Sequence, residues 1–207
     1  QLNRHLSELL GEEISVIGAS RTDSGVHALC NLAVFDTSAR MPAEKISYAL
    51  NQRLPEDIRV QKSEEVPADF HPRKIPTRKT YEYKIYNAQF PNPVMRLYSH
   101  FTYVPLDLEK MQEAAKYFVG EHDFAAVATY KPEIESTVRT IYELSVTKED
   151  DLITMRVTGN GFLYNMVRII AGTLMEVGRG RMEPSDIPVV LASGDREKAG
   201  PTAPACG

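Results

Sequence analysis

The stretch from Thr140 to Val177 decides the fold, and it reads TIYELSVTKEDDLITMRVTGNGFLYNMVRIIAGTLMEV. Its first part holds two runs rich in β-branched residues, Thr140–Lys148 and Leu152–Thr158, on either side of an acidic turn. This pattern predicts a β-hairpin. A Gly-Asn-Gly turn then leads into an apolar run, Phe162–Val177, which predicts a long helix. Apolar residues lie on nearly every side of that helix, so we expect it to be largely buried.

Outside this stretch, helical and strand patterns follow one another in mixed order. Helices are predicted over 1–10 and 42–53, over the stretch marked by Leu108 and Phe118 that Gly120 can close, and after Pro184; strands are predicted over 14–19, 29–36, 58–63 and 80–87. Pro42 suits the first turn of its helix. The mixed order predicts an α+β fold with a mainly antiparallel sheet. A basic, proline-rich connector at 66–77 predicts a division into domains 1–74 and 75–207.

Composition is that of an ordinary globular protein, with 207 residues, 43% hydrophobic and 25% charged. The only cysteines are Cys30 and Cys206, too few for a disulfide framework and typical of a reducing compartment. We therefore expect a cytoplasmic protein. No apolar run approaches the roughly 18 residues of a membrane span. The chain begins at Gln1 within a helical pattern, so we expect it to be an internal portion of a longer chain.

The net charge of −4 counts against a nucleic-acid partner unless basic residues cluster locally. They do so in the segment His71–Tyr83, where four of them run into a tyrosine-rich strand: Arg73, Lys74, Arg78 and Lys79. Basic side chains neutralise phosphates, and aromatic faces stack on bases. The commoner outcome for a charge run is a solvated linker. A second small basic spot, Arg179 with Arg181, also fits favourable cations at a helix C-terminus.

A chemically rich loop, Ser20–Ala28, connects two of the predicted strands and contains Asp23. On local chemistry, Asp23 is more often a turn residue that accepts backbone N–H bonds before Gly25. The alternative is a nucleophile or general base, which must be ionised and therefore needs a cation or donors nearby. Arg21 is close in sequence, but it shares a face with Asp23 only if the loop is extended.

Arg168 is a second candidate, because it lies in the middle of the apolar helical run. A charge there is costly unless it is paired. The alternative is an arginine whose aliphatic part lies along the apolar surface while its guanidinium reaches solvent. If Arg168 is paired, its partner must be a carboxylate from elsewhere in the chain, and Asp23 meets that requirement.

The sequence lacks the motifs of other common catalytic and cofactor-binding sites. The five histidines have no metal-ligand spacing, and the chain has no Walker loop, no Rossmann fingerprint and no serine-hydrolase elbow. Glu121-His122-Asp123 resembles a helix-end connection more than a triad. We therefore expect no metal and no cofactor. Three kinds of protein stay open on these residues: an enzyme that acts on RNA, a silent RNA-binding module, and an enzyme that uses Asp23 and Arg21 on a small phosphorylated substrate.

Several ordered motifs resemble the bacterial tRNA pseudouridine synthase A family. The segments that carry the resemblance are Gly18–Ala28, Asn51–Ile58, Phe70–Arg73, Lys79–Tyr83, Gly120–Phe124 and Gly161–Arg168. Small departures occur at Ser20, Ser24, Cys30 and Asn31, where that family more often has other small or polar residues. The family's opening strand and its closing strand have no counterpart in this chain.

The resemblance implies a cofactor-free isomerase that converts uridine to pseudouridine at positions 38–40 of the tRNA anticodon stem-loop. It implies that Asp23 is the essential catalytic aspartate and that Arg168 pairs with it. Tyr81 then stacks on the target base, and Arg21 engages the RNA and helps to flip that base. The implied fold is the pseudouridine synthase fold, with two similar halves and a central sheet flanked by helices, in a homodimer that binds tRNA.

Overall fold

The computed structural model describes residues 1–207 and contains five α-helices and seven β-strands. Residue contacts divide the chain into two units. The first unit comprises residues 1–22 and 28–75, and the second comprises residues 23–27 and 76–207. The short segment that contains Asp23 therefore belongs to the second unit. None of the helices combines the length and hydropathy that crossing a bilayer requires.

The first unit is small and has little regular sheet. Its elements are α1 (Leu2–Leu10), β1 (Ile17–Gly18), β2 (Ala33–Val34) and α2 (Ala43–Asn51). Strands β1 and β2 pair antiparallel over two residues each. The buried core of this unit consists of five aliphatic side chains: Leu6, Ile14, Ile46, Leu50 and Leu54.

The second unit is built on a five-stranded sheet. Its elements are β3 (Lys79–Asn87), β4 (His100–Thr102), α3 (Leu108–Lys116), β5 (Gly120–Asp123), β6 (Val138–Glu149), β7 (Leu152–Gly159), α4 (Met166–Gly178) and α5 (Asp186–Ser193). The strand order is β4-β3-β7-β6-β5, and every pair is antiparallel except β3 with β4. The predicted α+β class with a mainly antiparallel sheet is confirmed.

The predicted hairpin and its helix form the centre of this unit. Alternate residues of β7, Ile153, Met155 and Val157, are at most 1% exposed, so one face of the strand lies in the core. Asp150 takes a left-handed conformation (φ 50°) in the turn between β6 and β7, and aspartate tolerates that conformation better than most residues. Helix α4 contains a long run of buried residues, as its apolar sequence predicts.

Three predicted strands of the first unit are short or absent. The runs 14–19 and 29–36 pair over only two residues each, and 58–63 forms no strand. Around Val60 the backbone bonds instead to a side chain of α2: Val60 N donates to Asn51 Oδ1 (2.8 Å), and Asn51 Nδ2 donates to Val60 O (2.9 Å). The side-chain amide of Asn51 thus bonds the backbone groups that would otherwise pair with a neighbouring strand.

Some predicted boundaries in the second unit are also wrong. Helix α3 ends before Gly120, which takes φ +116° and begins β5. The segment Glu121–Asp123 is therefore a strand paired with β6, not a helix-end connection. Helix α4 begins four residues after Phe162, because Asn165 has a left-handed backbone that cannot continue a right-handed helix. Pro42 precedes α2 as its cap and does not occupy its first turn.

Candidate active site

The loop that contains Asp23 is a turn held against the end of the chain. Val26 N donates to Asp23 O (3.1 Å), which closes the turn. Gly25 has φ +87°, and a Cβ on it would lie 3.4 Å from the Cβ of Ala205. The glycine therefore supplies a left-handed backbone in a place where the loop packs closely.

His27 anchors the other end of this loop. Its ring stacks on the ring of Tyr98, with centroids 4.8 Å apart and 25° between the planes. Its Nε2 forms a hydrogen bond of 2.8 Å with the carbonyl oxygen of Leu97. The Asp23 loop thus has a fixed attachment to the connection between β3 and β4, and its orientation does not depend on the loop residues alone.

Asp23 and Arg168 form an ion pair. Arg168 Nη1 donates to Asp23 Oδ2 at 2.8 Å, and the side chains are 23% and 29% exposed for the arginine and the aspartate. Both groups are largely withdrawn from water, so their attraction is stronger than that of a surface pair. Because α4 begins only at Met166, Arg168 lies in the first turn of the helix and not in its middle as predicted, but it has the carboxylate partner that a largely buried arginine requires.

The guanidinium of Arg168 has two further acceptors. Its Nε donates to Ala203 O (2.8 Å), and its Nη1 donates to Asn165 Oδ1 (3.1 Å). Ala203 N in turn donates to the backbone oxygen of Arg168 (3.1 Å). Asn165 Nδ2 donates to Thr129 Oγ1 (3.0 Å). The arginine is therefore held from several directions, and its Nη1 points at Asp23.

The last residues of the chain are pressed against α4. Gly200 N donates to Thr173 Oγ1 at 3.0 Å. A Cβ on Gly172 would lie only 1.8 Å from Pro201 O, so only glycine allows this approach. Tyr83 OH donates to Pro204 O (2.8 Å). Burial raises the pKa of Tyr83 above its ordinary value, which keeps the phenol protonated and able to donate.

Tyr81 lies on β3 two residues before Tyr83, so both side chains leave the same face of the strand. The ring of Tyr81 is half-buried and meets Phe162 edge to face, with centroids 5.2 Å apart. Tyr83 on that face reaches Pro204, beside the Ala203 carbonyl that holds Arg168. The structure therefore places Tyr81 on the Arg168 side of the sheet. The ring of Tyr81 contacts Phe162 there.

Arg21 belongs to the first unit and its side chain is exposed. Asp23, Arg168 and Tyr81 all belong to the second unit. The structure thus joins two of the four sequence-predicted site residues in direct contact, Asp23 with Arg168.

The basic residues singled out in the sequence have several kinds of partner. Arg73 Nε donates to Gly18 O (2.8 Å), and the guanidinium of Arg78 lies over the ring of Tyr142, 4.7 Å from its centroid. At the second basic spot, Glu176 pairs with Arg179 (2.7 Å) and with Arg181 (3.1 Å). The single carboxylate of Glu176 therefore offsets one of the two positive charges at the end of α4. No group of three or more histidine, cysteine, aspartate or glutamate side chains is arranged to hold a metal ion.

Several residues that build the site were not predicted as site residues. They are Tyr83, Tyr98, Thr129, Asn165, Ala203 and Pro204. Most of them act through a backbone carbonyl or a short polar side chain, which leaves little trace in composition or periodicity. One signal was present: Asn165 is a residue tolerant of the left-handed conformation, placed just after a Gly-Asn-Gly turn and before an apolar helix.

Comparison with known proteins defines the class to which this chain belongs. A family model described as tRNA pseudouridine synthase matches residues 2–73 and 114–207. The chain belongs to the tRNA pseudouridine synthase family, whose members are isomerases.

Curated relatives agree with this assignment over the whole chain. The chain is 50% identical over 207 residues to tRNA pseudouridine synthase A of Ruminiclostridium cellulolyticum, and the match covers 100% of this chain and 84% of that relative. It is 47% identical over 206 residues to the protein of the same name from Acetivibrio thermocellus, covering 100% of this chain and 84% of that relative. For the Brevibacillus brevis protein of that name, the identity is 45% over 207 residues, covering 100% and 85%.

Proposed function

We propose that this protein isomerises uridine to pseudouridine in the anticodon stem-loop of tRNA and that Asp23 is its essential catalytic residue. Membership of the tRNA pseudouridine synthase family supports the reaction class and the substrate. The observation that carries the assignment of Asp23 is its ion pair with Arg168, at 2.8 Å. A loop carboxylate that merely closes a turn does not need an ion pair with a largely buried arginine 145 residues away in the chain.

The ion pair suits a carboxylate that must react. Arg168 donates a hydrogen bond to Oδ2 of Asp23 and places a positive charge beside the carboxylate. Anchoring through Gly25 and His27 restricts the loop that carries Asp23, and a positioned group reacts faster than a mobile one. Arg168 in this proposal orients Asp23 and balances its charge.

Tyr81 and Arg21 act on the RNA in this proposal. A uridine within a helical stem must leave the stack before its glycosidic bond can be reached. Tyr81, half-buried on the Arg168 side of the sheet, offers an aromatic ring for the flipped uracil. Arg21 is exposed and cationic, which suits contact with a phosphate or with the space that the flipped base vacates.

The reaction exchanges one bond of the uracil for another. The C–N glycosidic bond breaks, the uracil rotates while it remains bound, and a C–C bond forms between C1′ of the ribose and C5 of the uracil. The proton on C5 is released to water and N1 of the uracil gains a proton, so the product is an isomer of the starting uridine. Asp23 starts this sequence by attacking the ribose, by attacking the base, or by removing a sugar proton, and all three routes require an ionised carboxylate.

A homodimer in the cytoplasm is the setting that we propose for this activity. Between β3 and β4, and directly after β4, the second unit exposes a set of large apolar side chains: Phe90, Val94, Leu97, Tyr98 and Tyr103. Exposed apolar groups in one region favour a protein interface. Sedimentation equilibrium of the protein tests this assignment, since a monomer at micromolar concentration contradicts it.

Release of tritium from tRNA labelled at uracil C5 tests the proposed function. We expect the wild-type protein to release tritium and Asp23→Ala to release none, while both bind the tRNA with similar affinity. A matched control is Asp36→Asn, which changes an exposed carboxylate of the first unit and should leave the release unchanged. Equal release from wild type and Asp23→Ala contradicts the role of Asp23. Binding without release by the wild type identifies a silent RNA-binding module instead.

A further inference from the structure

Asn165 begins α4 with a strained, left-handed backbone, and its side chain does not cap that helix. It is the cap residue of α4 and has φ 61° and ψ 2°, a left-handed conformation that residues with a Cβ usually avoid. Asparagine at a helix start normally turns its side-chain oxygen onto a backbone N–H of the first turn. The side chain of Asn165 makes no such bond.

The backbone of Asn165 already performs the helix-start role. Its carbonyl oxygen accepts the first helical bond from Ile169 N (2.9 Å). Glycine would satisfy the same backbone geometry without the steric penalty. The presence of an amide at this position therefore requires an explanation outside the helix.

The amide lies between Thr129 and Arg168. Its Oδ1 accepts from Arg168 Nη1 at 3.1 Å, and its Nδ2 donates to Thr129 Oγ1 at 3.0 Å. An arginine only donates, so the oxygen of the amide must face Arg168 and the nitrogen must face Thr129. Thr129 is held in turn, because its backbone N donates to Tyr164 O (2.9 Å). The amide thus has one orientation, set from both sides.

The same guanidinium nitrogen serves Asn165 and Asp23. Nη1 carries two hydrogens, and the structure uses them on Asp23 Oδ2 (2.8 Å) and Asn165 Oδ1 (3.1 Å). Together with the bond from Nε to Ala203 O, this gives the guanidinium two acceptors besides the carboxylate of Asp23. Arg168 then has acceptors that stay in place while Asp23 changes its bonding during a reaction.

We propose that Asn165 is a positioning residue that holds Nη1 of Arg168 at the Asp23 carboxylate throughout the catalytic cycle, an inference that rests on the proposed function of Asp23. Asn165 touches neither the reacting uridine nor Asp23 in this role. It acts through Arg168, and Thr129 sets its orientation. The alternative is that Asn165 is only a tolerated left-handed residue at a helix start.

Asn165→Gly separates the two explanations, because glycine accepts the backbone conformation and deletes the amide. We expect thermal stability equal to or above that of the wild type and an unchanged dissociation constant for tRNA. The single-turnover rate of tritium release should fall about 10-fold or more, the effect of losing one hydrogen bond to a charged group. A wild-type rate in Asn165→Gly overturns the proposal.

A double-mutant cycle distinguishes a positioning role from a purely structural one, because only the positioning role predicts that the rate loss depends on Arg168. Arg168→Lys keeps the charge but loses Nη1, so Asn165→Gly in that background should lower the rate little further. Independent, multiplicative losses in the cycle overturn the proposal. Thr129→Val removes the hydroxyl that orients the amide and gives the same test if Asn165→Gly fails to fold, with an expected rate between wild type and Asn165→Gly.

The wild type and Asp23→Asn are assayed alongside these variants. An inactive wild type, or an active Asp23→Asn, contradicts the proposed function itself. An active wild type, an inactive Asp23→Asn and an undiminished Asn165→Gly contradict only the positioning role. The two failures are therefore distinguishable in one set of measurements.

Discussion

The two units of this chain use similar sequence patterns with different results. Both contain amphipathic helices and alternating strand-like runs. The first unit converts its runs into two strands of two residues each, over a core of five buried side chains: Leu6, Ile14, Ile46, Leu50 and Leu54. The second unit builds strands of up to 12 residues in a five-stranded sheet.

The difference shows that a strand-like pattern becomes a strand only where neighbouring strands supply its hydrogen bonds. The run Val157, Met155 and Ile153 has partners on both sides, in β3 and in β6. The run around Val60 has no such neighbour, and the side chain of Asn51 takes over its backbone groups. β-Propensity is therefore a weaker predictor than the pairing context.

The loop that carries Asp23 makes this comparison functionally relevant. Its neighbours in sequence belong to the first unit, but residues 23–27 belong by their contacts to the second. Anchors at Arg168, at Ala205 and at Tyr98 account for that membership. The chemistry of the protein is thus expected to depend on the second unit, which has the larger core.

The largest expected effect tests whether chemistry resides in this loop. Asp23→Asn should lower the rate of tritium release from tRNA by about 1,000-fold, because the carboxylate that we propose as catalytic is replaced by an amide of the same shape. The midpoint of thermal unfolding should change little. A loss of stability comparable to the loss of rate would mean that Asp23 mainly holds its loop against α4.

Matched core substitutions test the difference in packing. Leu174 in α4 is 0% exposed and Leu50 in α2 is 3% exposed. We expect Leu174→Ala to cost about 4 kcal/mol and Leu50→Ala about 2 kcal/mol of unfolding free energy, since a larger core relaxes less around a cavity. Urea unfolding followed by hydrogen exchange in each unit measures both values. Equal costs would show that the smaller core is packed as rigidly as the larger one.

Gly172→Ala tests how the end of the chain supports the site. Alanine normally stabilises a helix interior relative to glycine by about 1 kcal/mol. Here a Cβ would lie 1.8 Å from Pro201 O, so we expect a net destabilisation of about 2 kcal/mol. Because Ala203 holds Arg168, the rate of tritium release should fall as well.

Thermal unfolding and the tritium assay together measure the Gly172→Ala effect. Gly180→Ala is a useful control, because a Cβ at that glycine meets nothing within 4 Å and the variant tests only the left-handed backbone (φ +71°). Wild-type activity in Gly172→Ala would show that the segment after residue 200 does not position Arg168.

The smallest expected effect is a pH dependence in the second unit. Burial, together with the charge of Arg179, lowers the pKa of His100 from its ordinary value of 6.5. The folded state therefore favours neutral His100, and the unfolded chain binds the proton more readily. The resulting stabilisation is fully present above about pH 6.5 and is lost as the pH falls through the lower folded pKa.

His100→Gln should reduce the loss of stability of the second unit between about pH 7 and pH 5. Urea midpoints across that range measure the slope, and hydrogen exchange assigns it to a unit. The same slope in wild type and variant would show that His100 does not contribute to it, and a change confined to the first unit would contradict its location in the sheet.

Particular elements show how far the sequence predicts the fold and why it then fails. The hairpin of β6 and β7 and the burial of α4 were predicted, because their alternation and apolar periodicity are local properties. The three-residue strand β4 and the strand β5 were missed, because short edge strands exist only through pairing with β3 and β6. The start of α4 was misplaced because the left-handed backbone of Asn165 leaves no mark on hydropathy.

The sequence by itself determined that the chain is an α+β protein with a buried helix that carries an arginine, and that this arginine requires a carboxylate. It also marked Asp23 as one candidate, through the ordered motifs around it. Only the tertiary structure decided the pairing, since Arg168 and Asp23 are 145 residues apart in the chain. It also decided the remaining supports, the Ala203 carbonyl and the Asn165 amide. Periodicity reports which face of a segment is buried, whereas a hydrogen bond between distant segments depends on how the whole chain is packed.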